Sequence, residues 1–313
     1  MDALVQITLP VFLVIGFGLL AVRTGLFPEH GLQGLMTFAQ GFAIPLLLFR
    51  AMARIDLAES FDPPLLLSFY AGAAAGFLAG LMGARLLFRR PWPDSVAIGF
   101  VGLFSNTLLL GLPITERAYG ANALGPNYAI IAFHSPFCYT LGVTAMEIAR
   151  ASGRGAGRTA LSVLRSMARN PLVIGIVAGL GANLGNVALP GVLTEAMDLV
   201  IRAALPAALF ALGGTMARYR PEGDMATVAW VVGLSLVLHP AVTWLVGSAL
   251  GLGPGAFRSA VVTAAMAPGI NTYIFADMYG VGRRVAATAV LVGTALSILT
   301  VSVWLQLLGQ TGA

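Results

Sequence analysis

Apolar segments of roughly 20 residues, each closed by proline- or glycine-rich turns, leave this chain few ways to fold, because that length crosses a bilayer core as a helix. Ten of them are expected, at 4–22, 33–53, 63–88, 95–119, 126–149, 171–189, 192–217, 225–251, 256–280 and 284–308. Turn chemistry separates them, as at Asp62-Pro63-Pro64, Pro91-Trp92-Pro93-Asp94, Gly125-Pro126, Asn170-Pro171 and Gly253-Pro254-Gly255. Charged residues make up only 10% of the 313, against about 25% in a soluble globular chain. Too little charge is present to coat the surface for water. The expected fold class is an all-α membrane protein embedded in a lipid bilayer.

The segments form a sequence that nearly repeats itself. Pro10 with Gly18-Leu19 returns as Pro171 with Gly179-Leu180, Pro45 before Phe49 returns as Pro206 before Phe210, and Tyr119-Gly120 returns as Tyr279-Gly280. The expected organisation is a first five-helix repeat at 1–149, a cytoplasmic linker at 150–170, and a second five-helix repeat at 171–313. Five is odd, so the second copy enters the membrane from the opposite side. The result is a 5+5 inverted repeat, an arrangement used by secondary transporters.

Arginine placement fixes an orientation. Every basic residue other than histidine is Arg; the loops after odd-numbered segments hold 13 of the 18 and the opposite side 5. By the positive-inside rule both termini are expected outside, in the periplasm. A pI near 9.9 would suggest nucleic acid in a soluble protein, but positive charge in short loops orients a membrane protein instead, and no nucleic-acid partner is expected. Asp2 stands where a signal peptide wants positive charge, so the first segment is expected to remain in the mature protein. Cys138 is the lone cysteine. It can form neither an internal disulfide nor a thiolate metal cluster, and no metal or other cofactor is expected.

Segments four and nine are poor continuous helices. One reads Ser105-Asn106-Thr107-Leu108-Leu109-Leu110-Gly111-Leu112-Pro113 and the other Pro268-Gly269-Ile270-Asn271-Thr272. Proline removes one helical hydrogen bond and obstructs another. Backbone groups released in this way cannot face lipid, so they line a cavity or find polar partners. The expected binding residues are Ser105, Asn106, Thr107, Pro113, Pro268, Gly269, Asn271 and Thr272, with Pro113 and Pro268 marking the breaks. No segment is read as carrying a charge near its middle, since Arg50, Glu116, Arg117, Glu147 and Asp277 lie toward ends. Half-helix N-termini, each worth about half a positive charge, together with two Asn amides, suit a carboxylate.

The run Asn106 to Pro113 followed by Tyr119-Gly120 resembles the fourth span of the auxin efflux carrier family, which includes the plant PIN carriers and bacterial malonate and malate permeases. Pro268-Gly269-Ile270-Asn271-Thr272-Tyr273-Ile274-Phe275-Ala276 through Tyr279-Gly280 is similar to its ninth. The resemblance implies a fold like that of bile-acid sodium symporters, with a scaffold domain and a transport domain whose broken helices cross at the midplane. It also implies a homodimer in a bacterial inner membrane, and alternating-access transport of a small organic anion such as malonate, malate or indole-3-acetate. Plant carriers have a proline where this chain has Thr272 and a basic residue where it has Asp277, which weakens a transfer of auxin specificity and favours a bacterial small-acid or broader substrate.

Two histidines, His134 and His239, fall inside segments five and eight, and either could titrate near neutral pH and couple transport to protons. The bland reading is a backbone hydrogen bond that leaves each neutral. Asp277 could take a proton or sodium ion, although an interfacial pair with Arg283 or Arg284 suits its place better. Tyr139-Thr140 and the tryptophans read most simply as packing or belt residues. Gly72, Gly76, Gly80 and Gly83, about one turn apart, suit close helix packing. The alternative functions are a sodium- or proton-coupled symporter of a larger amphipathic anion, an uncoupled channel, or an intramembrane enzyme. The last lacks a catalytic pair: no H-E-x-x-H is present, and adjacent His134 and Ser135 point about 100° apart on a helix. No G-x-x-x-x-G-K-[ST] loop is present for ATP.

Overall fold

A computed structural model describes residues 3–150, 165, 168–219 and 224–310. Most of the linker expected at 150–170, with Arg154 and Arg158, lies outside the described residues, as does Arg220. Among the described residues the regular structure is helical apart from one antiparallel bridge between Ser105 and Pro268. Seven helices are long and apolar enough to cross a membrane: Gln6–Arg23, His30–Arg54, Pro63–Leu86, Ala121–Arg150, Gly191–Met216, Met225–Ala249 and Arg283–Gly309. The protein is therefore an all-α, multi-pass membrane protein. Pro171–Leu184 is a shorter apolar helix. The fourth and ninth expected segments are each divided in two, as Trp92–Leu103 with Thr107–Tyr119, and Pro254–Ala264 with Asn271–Tyr279.

Proline sets much of the local geometry. Helices open on Pro63, Pro171 and Pro254, where the missing N–H would lack a partner anyway. Four π-helical turns, Ala3–Thr8, Ala39–Ala43, Thr107–Gly111 and Leu234–Leu238, each stand immediately before a helix with proline as its second residue: Pro10, Pro45, Pro113 and Pro240. A proline ring collides with the carbonyl four residues back, and one widened turn relieves that collision without ending the helix. This corrects the expectation that Pro113 marks a break. The break lies upstream at Phe104–Asn106, and Pro113 is buried inside Leu112–Tyr119. The repeated Tyr-Gly pair is a helix stop: Gly120 and Gly280 have φ of 85° and 71°, which side-chain-bearing residues adopt only at a cost.

Contacts divide the chain into two compact units, and each draws on both ends of the sequence. The smaller comprises Pro10–Ser60 and Leu164–Arg218. Within it a Cβ on Gly18 would fall 1.9 Å from the Phe210 carbonyl oxygen, and one on Gly179 would fall 2.4 Å from that of Phe49. Gly18 and Gly179 are one of the repeated pairs, and Phe49 and Phe210 are another. Asn183 donates to the carbonyls of Met52 and Ile55 at 3.1 and 2.9 Å. Asp198 and Arg202 sit well inside Gly191–Met216, which corrects the expectation of charge-free interiors. Asp198 pairs with Arg50, so the charge inside this helix is met by an opposite charge from His30–Arg54.

The larger unit comprises Met1–Leu9, Phe61–Val163 and Tyr219–Ala313. Its organising helix is Pro63–Leu86. A Cβ on Gly76 would stand 2.3 Å from the Gly102 carbonyl oxygen, and one on Gly72 would stand 2.6 Å from the His239 carbonyl oxygen. The glycine row thus brings both Trp92–Leu103 and the helix bearing His239 to backbone distance. Gly76→Ala is expected to cost about 1–3 kcal/mol, the usual penalty of overpacking. An unchanged thermal midpoint in detergent would show that the backbones can move apart freely. Asp224 caps Met225–Gly233, accepting from Thr227 Oγ1 at 2.6 Å and Ala226 N at 3.1 Å. The Thr227 bond leads in holding its carboxyl below the ordinary carboxylate range. Its stabilisation is present at neutral pH and is lost as pH falls through the folded-state value.

Candidate functional site

Segments four and nine unwind and pair with each other. Beyond Leu103 the chain turns extended at Phe104, with φ −96° and ψ 93°. Beyond Ala264 it stays irregular until Asn271. Asn106 N donates to the Ala267 carbonyl at 2.8 Å, and Gly269 N donates to the Phe104 carbonyl at 2.9 Å, flanking the Ser105–Pro268 bridge. Each break thus supplies the partners that the other has lost, a necessity where no water is at hand. Gly269 fits because a Cβ there would press to 3.2 Å on the Phe104 ring. Ser105 and Ala267 are buried, at 1% and 0% exposure.

The expected site residues fall into distinct roles. Asn106 is the N-cap of the second half-helix, its Oδ1 accepting from Leu109 N at 3.2 Å. Its Nδ2 is thereby turned away from the capped amide. Asn271 opens the corresponding half-helix of segment nine, and its Oδ1 accepts from the Tyr139 hydroxyl at 3.5 Å. Thr272 is buried and its hydroxyl donates to the Gly269 carbonyl at 2.8 Å, which ties the turn together. Thr107 is buried beside Asn106. Ser105, Asn106, Thr107, Pro268 and Gly269 are therefore brought together, with Asn271 and Thr272 on the following turn. Pro113 stands two turns along.

Both histidines converge on the break. His134 Nε2 donates to the Ser105 carbonyl at 3.1 Å, and His239 Nδ1 lies 3.1 Å from the Ser105 hydroxyl. His239 Nε2 donates to the Phe69 carbonyl at 3.2 Å. Two helices are pinned in this way to one serine, and Pro63–Leu86 joins them through the Phe69 carbonyl. Asp277 does not join them: it pairs with Arg283 at 3.0 Å, with both side chains about half exposed. Asp277→Asn is accordingly expected to change stability by less than about 1 kcal/mol, as for other solvated pairs. A large loss, or a loss of cation dependence in transport, would restore Asp277 as a coupling residue.

Two features were not legible beforehand. Phe100 stacks on Phe275 with centroids 3.9 Å apart, and Tyr139, whose hydroxyl meets Asn271, lies 5.5 Å from Phe100. Asn127 Nδ2 donates to Thr115 Oγ1 at 3.1 Å and Thr263 Oγ1 at 2.7 Å, joining a half of each broken segment to Gly125–Arg150. A lone Asn one residue past Gly125-Pro126 in an apolar run was the available signal. An open apolar cavity of about 600 Å³ is bounded by Tyr70, Phe133, Pro136, Phe137 and Thr140, among others. It shares no residue with the paired breaks and lacks their polar groups.

Broken helices paired through their backbones, within an otherwise apolar helical unit and lined by uncharged amides and hydroxyls, define a membrane carrier. Residues 3–305 match the family described as membrane transport protein, and the chain belongs to that family. It is a transporter rather than an enzyme, and the likeness to auxin efflux carriers is upheld by its relatives. A Rhizobium meliloti protein named "Putative malonate transporter" is 29% identical over 318 residues, covering 100% of this chain and 98% of its own. The uncharacterized transporter YfdV of Escherichia coli is 24% identical over 300 residues, covering 95% of each. Auxin efflux carrier component 4 of Arabidopsis thaliana is 32% identical over 158 residues, 48% of this chain and 25% of its own. The relatives that match along their length are bacterial, and the chain is a multi-pass protein of the bacterial inner-membrane type.

Proposed function

We propose that this protein is a secondary transporter of a small organic anion, a mono- or dicarboxylate of the malonate class, working by alternating access. The pairing of the two breaks carries the reading, because it sets Asn106 and Asn271 at adjacent half-helix N-termini where no arginine stands. Helix N-termini carry partial positive charge that favours an anion, although Leu109 N, Thr272 N and Tyr273 N already bond to Asn106 Oδ1 and the Gly269 and Ile270 carbonyls. The name of the full-length Rhizobium relative supports malonate over the auxin suggested by the partial plant match.

The finer architecture belongs to the same proposal. Counting the short helix and both broken segments gives ten spans in a 5+5 inverted repeat at 1–149 and 171–313, with the two breaks crossing as in bile-acid symporters. The reciprocal seats of Gly18 on Phe210 and Gly179 on Phe49 support the repeat, since exchanging the halves turns one contact into the other. The larger unit then carries the anion and the smaller is the scaffold. Both termini face the periplasm, and the working form is a homodimer.

Purified protein in proteoliposomes preloaded with malonate should take up labelled malonate by counterflow, with saturation. Linear, non-saturating flux would indicate a channel. Absence of binding and movement of malonate, malate and indole-3-acetate, with protein stable in a thermal-shift assay, would overturn the reading.

A further inference from the structure

We propose that transport is coupled to one proton taken up at Nδ1 of His239, and that this proton turns the Ser105 hydroxyl from a donor to the imidazole into a donor to the bound carboxylate. The inference rests on the carboxylate-carrier reading and names its coupling ion.

The hydrogen bonds dictate the tautomers. A carbonyl only accepts, so the bond from His239 Nε2 to Phe69 fixes the proton on Nε2. Nδ1 of a neutral ring is then an acceptor, and the Ser105 hydroxyl must donate to it across 3.1 Å. His134 is held in the same tautomer by the Ser105 carbonyl, but its Nδ1 faces Cys138 Sγ at 3.7 Å, a weak partner. A second proton on His239 Nδ1 meets a hydroxyl that can rotate. The proton adds to the ring lone pair, Nδ1–H donates to Ser105 Oγ, and the hydroxyl hydrogen is freed to point elsewhere. No covalent bond to a heavy atom breaks.

The site also needs such a charge. The chain has no lysine, and no arginine stands in either break. A carboxylate drawn into a buried site without a counter-charge is costly, and so is an unpaired imidazolium; together they offset each other. The surroundings leave the histidines as the groups able to supply it. His239 faces the Phe69 ring at 4.9 Å, while His134 faces Phe69, Phe104 and Tyr70 at 5.6, 4.5 and 6.3 Å. The Tyr70 hydroxyl is engaged with the Ile130 carbonyl at 2.8 Å. Among the described residues no carboxylate or guanidinium bonds to either ring, and Asp277 is held by Arg283.

Two measurements on the full chain test this. In proteoliposomes with the membrane potential clamped at zero, one-proton symport should accumulate malonate about tenfold per pH unit of gradient. His239→Gln, which keeps a donor for Phe69, should lose that accumulation. Independently of flux, ¹⁵N-histidine labelling gives three residues to resolve, His30, His134 and His239. The His239 ring should read as the Nε2–H tautomer alone and become doubly protonated with saturating malonate. Malonate transport indifferent to the pH gradient, or a His239 ring that stays neutral with malonate bound, would overturn the coupling while leaving the carrier reading intact. Failure of every tested carboxylate to bind or move at any pH would instead remove the reading beneath it, and the coupling with it.

Discussion

Asn106→Asp is expected to abolish malonate flux while keeping the helix cap, whereas Asn106→Ala should lose the cap and weaken flux. Asn106 does two jobs that these variants separate. Its Oδ1 caps the half-helix through Leu109 N, and on the proposed carrier reading its Nδ2 donates to the anion. Aspartate keeps the cap acceptor, and a negative charge at a helix N-terminus is itself favourable by about 0.3–1 kcal/mol. Yet it removes the donor and sets like charge against the substrate. At about 4 Å and an effective dielectric near 20 that repulsion is on the order of 4 kcal/mol, close to a thousandfold in binding. Alanine loses the cap, about 1 kcal/mol, and one hydrogen bond to a charged partner, about 1.5–3 kcal/mol, or roughly ten- to 150-fold. Initial uptake rates in proteoliposomes, read beside thermal unfolding, distinguish the two. Wild-type flux in the aspartate variant would mean that the amide does not face the anion.

How much of this was legible depended on whether the signal was local. Segment boundaries follow from hydrophobic length and turn residues, and helices appear where those rules place them, at Pro63–Leu86 and Met225–Ala249 for example. Segments four and nine were legible as interrupted because Pro and Gly stand in their apolar runs, with Asn106 and Asn271 read as polar partners for the released backbone. Pro113 misled because a proline has two remedies, a break or a widened turn, and the choice is made by neighbours. Here Ser105 and Pro268 pair upstream, the backbone is satisfied there, and a π-turn suffices at Pro113. The charges at Asp198 and Arg202 were misjudged for a related reason: Arg50 comes from a distant segment to meet Asp198. The convergence of His134 and His239 on Ser105 was equally out of reach, since separations of 29 and 134 residues leave no periodicity to read.

Gly293→Val should cost several kcal/mol, and its sign is the informative part. Gly293 lies on Arg283–Gln310, where a Cβ would stand 2.7 Å from Pro268 Cδ and 3.7 Å from Ala267 Cβ. Helix propensity alone favours valine over glycine by a few tenths of a kcal/mol. A branched side chain at this position must instead push Pro268 away from Ser105, stretching the bonds from Asn106 N to Ala267 and from Gly269 N to Phe104. Each buried backbone group left unmade costs about 1–3 kcal/mol, so a loss of about 2–5 kcal/mol and of transport is expected. Gly309→Val on the same helix has nothing within 4 Å of the added Cβ and should stay within about 0.5 kcal/mol. If both valines left unfolding and malonate counterflow unchanged, the junction would be loose, with room for Pro268 to shift. A loss at Gly293 alone would mean that Arg283–Gln310 braces the paired breaks through Pro268.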